Sequence, residues 1–127
     1  MFYDFDQNNS GGYFVVNDKL CHMLFIEADS KDEAVRKAEE LGCYLDGVRK
    51  GIDCPCCGDR WDKDYIDAVP LDKYRTEGYQ AWGNDIIYFK DIEEYAQYVA
   101  DVYGWTVPDG RIYYKDGTVK EIFSNRR

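Results

Sequence analysis

Three of the chain's five cysteines fall within four residues, in the run Gly51-Ile52-Asp53-Cys54-Pro55-Cys56-Cys57-Gly58-Asp59-Arg60-Trp61. Cys54 and Cys57 are spaced C-x-x-C, with Pro55 after the first and Gly58 after the second. A tight turn of this kind aims two thiolates at one metal ion, as in a zinc knuckle. One knuckle supplies only two ligands. The remaining candidates are Cys21, His22, Cys43 and Cys56. Cys21 and His22 are neighbours on an apolar run that reads as a strand, so their side chains point to opposite faces and at most one joins the knuckle. The leading set is Cys54 and Cys57 with one or two of His22, Cys21, Cys43 and Cys56, holding a structural zinc. Two other readings stay open. The cysteines are small buried groups without metal, or a thiolate does redox or nucleophilic chemistry beside His22, the single histidine.

The elements that must position these residues follow from periodicity and turn signals. Asn8-Asn9-Ser10-Gly11-Gly12 reads as a loop, because Asn and Gly tolerate positive φ. Strands are expected at Tyr13–Val16 and Leu20–Ala28, joined by a turn at Asn17-Asp18-Lys19. Asp29 or Ser30 caps a helix to about Leu41, with Ala34, Ala38 and Leu41 on one face and Gly42 as C-cap. Residues 43–62 are expected to hold a short strand, an Asp46-Gly47 turn and the knuckle. Residues 64–83, with Pro70 and two glycines, give no clear period. Asp85–Lys90 reads as a strand. Asp91 caps a helix to Tyr103, whose apolar stripe is Ile92, Tyr95, Ala96, Val99, Val102 and Tyr103. Trp105–Val107, Arg111–Lys115 and Thr118–Phe123 complete the strands, the last two around an Asp116-Gly117 hairpin turn.

At an offset of 62, Asp29 matches Asp91, Ala34 matches Ala96, Ala38 matches Ala100 and Gly42 matches Gly104. Shared capping and packing chemistry explains this, and so does a duplication of two strand–helix–strand halves. The expected fold is a single α+β two-layer domain over 1–127, a mainly antiparallel sheet with two helices on one face. The motif-bearing half is 1–62, with the Cys-rich knuckle inserted at its end. The acidic, tyrosine-rich half is 63–127.

Composition narrows the function classes. The net charge is −9, and residues 85–109 hold Asp85, Asp91, Glu93, Glu94, Asp101 and Asp109 against Lys90 alone. Phosphate backbones would be repelled, so direct nucleic-acid binding is disfavoured and a basic protein partner is favoured. The apolar fraction of 45% is that of a globular domain, and no run of 18 apolar residues exists to span a membrane. The first residues lack the pattern of a signal peptide, so the chain reads as cytosolic, where cysteines serve as metal ligands or free thiols. Twelve Tyr, six Phe and three Trp exceed what a core of this size needs. Tyr and Trp are enriched at binding hot spots.

The motifs Phe5-Asp6-Gln7-Asn8-Asn9-Ser10-Gly11-Gly12, Cys21-His22, Ile26-Glu27-Ala28-Asp29, Tyr44-Leu45-Asp46-Gly47 and Asp53-Cys54-Pro55-Cys56-Cys57-Gly58-Asp59-Arg60-Trp61 resemble a family of small proteins encoded by tailed bacteriophages. The resemblance covers about residues 5–61. It implies a setting, the cytoplasm of an infected bacterium, rather than a reaction. Cys43 lies outside the shared pattern.

Three functions are weighed. The first is a non-enzymatic interaction protein that binds and modulates or inhibits a host bacterial protein in defence, transcription or replication. Its contact surface would be Tyr79, Trp82, Tyr95 and Tyr98 with Glu94 and Asp101. The second is a binder of a nucleotide or small anion. Its pocket would be Gln7, Asn8, Asn9 and Ser10 with Trp61 as stacking plane and Arg60 as charge partner. The third is a zinc or thiol hydrolase, for which the sequence offers no H-E-x-x-H and no carboxylate dyad. The balance favours the first, without catalytic residues.

Overall fold

The computed structural model describes residues 1–126, with the side chain of Trp82 outside the described set. Its first strand is one that the sequence reading passed over. Phe2-Tyr3-Asp4-Phe5-Asp6 forms β1 (Phe2–Asp6). Tyr3 and Phe5 are buried on one face, which leaves Phe2, Asp4 and Asp6 on the other. β1 pairs antiparallel with β2 (Met23–Glu27), Tyr3 opposite Ile26 and Phe5 opposite Leu24. On its other side it pairs with β3 (Asp67–Ala68), which sets Asp4 opposite Asp67. β6 (Gly110–Tyr113) runs parallel to β2, and β7 (Val119–Ile122) runs antiparallel to β6. The order is β3-β1-β2-β6-β7. The expected α+β class and mainly antiparallel sheet are therefore the observed ones.

Helix placement differs from the expectation. α1 (Lys31–Leu41) buries Ala34 and Ala38 in the core that contains Tyr3, Phe5, Leu24 and Ile26. α3 (Ile92–Tyr103) buries Ile92, Tyr95, Ala96, Val99 and Ala100 in a second core with Met23, Phe25, Ile112 and Ile122. Successive residues of β2 alternate between the two cores, so the helices cover opposite faces and the domain has three layers. The cause is local. Met23-Leu24-Phe25-Ile26 is apolar on both faces, and a strand of that composition needs cover on each side. Full burial of each such side chain is worth ~1.5–3 kcal/mol.

Both helices start on the expected chemistry. Ser30 Oγ accepts from Glu33 N and Asp91 Oδ1 accepts from Glu94 N. They end differently. Gly42 stops α1 in the left-handed region at φ 113°, its N–H bonded to the Ala38 and Glu39 carbonyls, whereas Gly104 is extended. The duplication does not extend to structure. Residues 43–62 form turns, and the strand before α3 shrinks to β5 (Ile86–Ile87), which pairs only with β4 (Tyr79–Gln80) in a separate hairpin. Trp105–Val107 forms no strand. The unread segment holds a short α2 (Leu71–Thr76) that packs with β4 and β5 on the α3 face.

Tyr13–Val16 is not a strand either. Its would-be pairing is made by one side chain: Gln7 Nε2 donates to Val15 O, and Val15 N donates back to Gln7 Oε1. At the far edge β7 is mostly exposed, with Lys120 paired to Glu93 and Glu121 to Arg111.

Candidate functional site

Residues 44–60 form a loop clasped at its base. Asp53 Oδ1 accepts from the Tyr44 hydroxyl (2.7 Å), Asp53 Oδ2 accepts from Arg60 N (2.8 Å), and Arg60 Nε donates to the Tyr44 hydroxyl (3.2 Å). Gly47 must be glycine here, because a Cβ would stand 1.8 Å from Asp53 Oδ2. Val48 N donates to Asp59 Oδ1, which draws in the descending arm. Residues 54–59 project from this clasp. Cys57 N and Gly58 N both donate to Cys54 O, closing the turn that the C-x-x-C spacing predicts.

The three thiols Cys54, Cys56 and Cys57 gather at the tip, with their sulfurs all within 4.8 Å of one another. This set could hold a metal ion. The Cys56–Cys57 sulfur separation of 3.8 Å matches the ~3.8 Å edge of a tetrahedron with ~2.3 Å metal–sulfur bonds. Cys54 and Cys56 stand 2.6 Å apart, so that edge has to open by about 1.2 Å around a metal. Hydrogen bonds from the Cys56 side chain and backbone lower the Cys54 thiol below its ordinary value, while side-chain hydrogen bonds with Cys54 and Cys57 push Cys56 up to about 11. Cys56, one of several expected additions to the C-x-x-C pair, is the third member.

Cys21 and His22 are not in this cluster. Cys21 is fully buried in the α1-side core, its thiol donating to Met23 O, and burial pushes it up to about 12. Cys43 is buried in the same core and is likewise pushed up to about 12. His22 has both ring nitrogens engaged: Nε2 lies 2.9 Å from Asp6 Oδ1, and Nδ1 accepts from Trp105 N. Its ring packs on Phe14. With both nitrogens so engaged, no hydrogen bond joins a thiol to the imidazole among the described residues, as a Cys–His nucleophilic pair needs.

The Asn-Gly loop and the Cys-bearing loop do meet. Cys54 N donates to Ser10 Oγ, Asn8 N to Arg60 O, and Gln7 bridges Trp61. What fills the meeting point is Arg60 itself. Only 3% exposed, it donates to Gln7 Oε1 and to the carbonyls of Asn8, Ser10 and Tyr13, and lies 4.5 Å over the Tyr13 ring. Its donors are spent inside the fold, so Arg60 is a structural staple rather than the charge partner of an anion. Trp61 is 2% exposed in the core and offers no stacking plane, and Asn9 is exposed.

The expected contact residues divide in the same way. Tyr95 is buried edge-on to Phe25. Tyr79 and Tyr98 are half-buried and pack with Tyr74 and Phe89. Glu94 completes the helix cap by accepting from Lys90 N, and Asp101 accepts from Gln97 and Asn125. The Trp82 side chain lies outside the described residues. Tyr79 and Tyr98 nevertheless line, with Tyr103 and the 80–84 turn, a cavity of about 280 Å³ between α3 and the β4–β5 hairpin. Val102 and Tyr103, expected in the apolar stripe of this helix, are instead exposed in its last turn, and the sequence reading passed over Trp105, Val107 and Phe123 as surface residues, all exposed at the end of α3 or beside it, Trp105 at 72%. The signal was available in the aromatic pair flanking the helix-ending Gly104.

The fold and the loop tip define an α+β domain that carries a surface thiol cluster suited to a metal ion. The chain belongs to the family described as "Domain of unknown function (DUF7296)", whose model matches residues 1–126. The match runs through both halves, not only the 5–61 stretch on which the phage resemblance rests. No curated protein and no solved structure matches. No helix among the described residues is long and apolar enough to cross a membrane.

Proposed function

We propose that this chain is a non-enzymatic interaction protein of a tailed bacteriophage, acting in the cytoplasm of the infected cell on a host bacterial protein that it modulates or inhibits. The carrying observation is the aromatic cavity between α3 and the β4–β5 hairpin. Tyr79, Tyr98 and Tyr103 line it, on a chain whose net charge is −9. Tyrosine rings around a shallow cavity suit an anchor side chain from a partner, and the charge suits a basic one. We assign the thiol cluster to one zinc ion that staples the loop tip, with water or a partner group as fourth ligand.

Quantitative co-purification from host lysate tests the main reading. The wild-type chain should retain a host protein that the double variant Tyr98→Ala/Tyr103→Ala loses and Cys57→Ser keeps. Identical retention by all three, or none by the wild type, would overturn it. Native mass spectrometry of protein prepared without chelator tests the zinc. A one-zinc mass excess should appear and vanish on Cys54→Ser, and a metal-free mass would remove the assignment.

A further inference from the structure

We propose that the cleft floored by Asp4 is a binding site for an organic cation bearing a guanidinium group. The site does not rest on the reading of the aromatic cavity. β1 and β3 set Asp4 directly opposite Asp67, with Asp6 two residues along on the same face. Like charges in that register destabilise a sheet unless a cation lies between them. The chain supplies little of that. His22 takes Asp6, and no ion pair among the described residues reaches Asp4 or Asp67.

A second observation points to a ligand. Asp4 Oδ1 and Asn8 Oδ1 are both buried and accept no hydrogen bond. Orphaned buried acceptors are costly, and a native fold keeps few without a use. Both residues line one cleft of about 410 Å³, together with Asp6, Asp62 and Tyr65. Asp4 and Tyr65 also border an adjoining cleft of about 510 Å³ walled by Tyr74 and Tyr95. Arg60 closes the inner end, with its N–H groups turned to the loop carbonyls. A planar fork of N–H donors satisfies a carboxylate and a neighbouring amide oxygen together, and an aromatic wall favours it further. A metal ion fits less well, because the thiol trio is the only group of metal-ligating side chains gathered tightly enough among the described residues.

Burial, with Asp6 and Asp67 adding repulsion, pushes the Asp4 carboxyl up to about 7. A bound cation displaces that proton, so one-proton linkage tightens binding about tenfold between pH 6 and pH 8. The charged and titratable groups facing Asp4 are Asp6, Asp62, Asp67, Arg60 and the Tyr65, Tyr74 and Tyr95 hydroxyls.

Calorimetric titration of the whole chain with butylguanidinium, with butylurea as its neutral isostere, tests the site. Butylguanidinium should bind saturably and about tenfold tighter at pH 8 than at pH 6. Butylurea should not bind, and Asp4→Asn, which removes a buried charge and so keeps the fold, should lose at least tenfold. A blocked Gly-Gly-Arg-Gly-Gly peptide separates the sources. Tighter binding by the peptide assigns the site to an arginine of a protein partner, and equal or weaker binding assigns it to a free organic cation. No saturable binding by either cation, equal binding of butylurea, or an unchanged Asp4→Asn variant would overturn the proposal.

Discussion

The two faces of the sheet treat buried charge in opposite ways. On the α1 face, Arg60 and Arg111 are buried and fully employed: Arg60 holds two loops, and Arg111 donates to Asn17 O and Leu20 O while pairing with Glu121. On the α3 face, Asp4 keeps one carboxyl oxygen buried with no donor. The first face spends its charges on holding irregular chain in place. The second carries a carboxylate that the fold does not need. Unequal satisfaction, rather than the presence of charge, separates a structural group from one poised for a ligand.

This contrast can be broken most directly at Arg60. Arg60→Met should cost about 3–5 kcal/mol in urea unfolding, because it removes the guanidinium that faces the buried Asp53 carboxylate and the donors that hold two loops together. A loss below about 1 kcal/mol would erase the distinction between the faces. If zinc occupies the thiol tip, a chelator should lower stability by about 2–3 kcal/mol at metal concentrations near a hundred times Kd. Cys54→Ser should remove that response, measured as the shift in Tm with and without metal.

Asp4→Asn should act in the other direction, with a gain of about 1–3 kcal/mol at pH 8. The sign follows from linkage. A carboxyl whose pKa rises from 3.8 to about 7 on folding holds its proton more tightly in the native state. It favours the fold below about pH 4, and that contribution is lost as pH rises to about 7. Unfolding measured from pH 4 to pH 8 should show this decline in the wild type and a flatter profile in Asp4→Asn. The smallest effects are expected at the helix caps, where Ser30→Ala and Asp91→Ala should each cost about 1 kcal/mol, equally on the two faces.

What the sequence made legible was local. The Ser30 and Asp91 caps, the Gly42 stop, the Asp116-Gly117 hairpin and the C-x-x-C turn each depend on residues a few positions apart, and each formed where expected. What failed was long-range. β1 was hidden because alternating Phe, Tyr and Asp reads as an acidic terminus, and a strand with a carboxylate in its middle breaks the usual burial pattern. The parallel β2–β6 pairing joins residues more than eighty positions apart, and no turn encodes it. Tyr13–Val16 had a strand's composition, but its backbone partner turned out to be the Gln7 side chain. At the site, Arg60 looked like an available cation because its partners are mostly backbone carbonyls, which leave no trace in residue type.

The outer strand β7 bears on solution behaviour. An open strand edge is a template for adding another chain. Here Lys120 and Glu121 are tethered along that edge by Glu93 and Arg111, and at the opposite border β3 is only two residues long. Both borders of the sheet are therefore poor seeds for edge-to-edge polymerisation, and concentrated samples should stay free of fibrils.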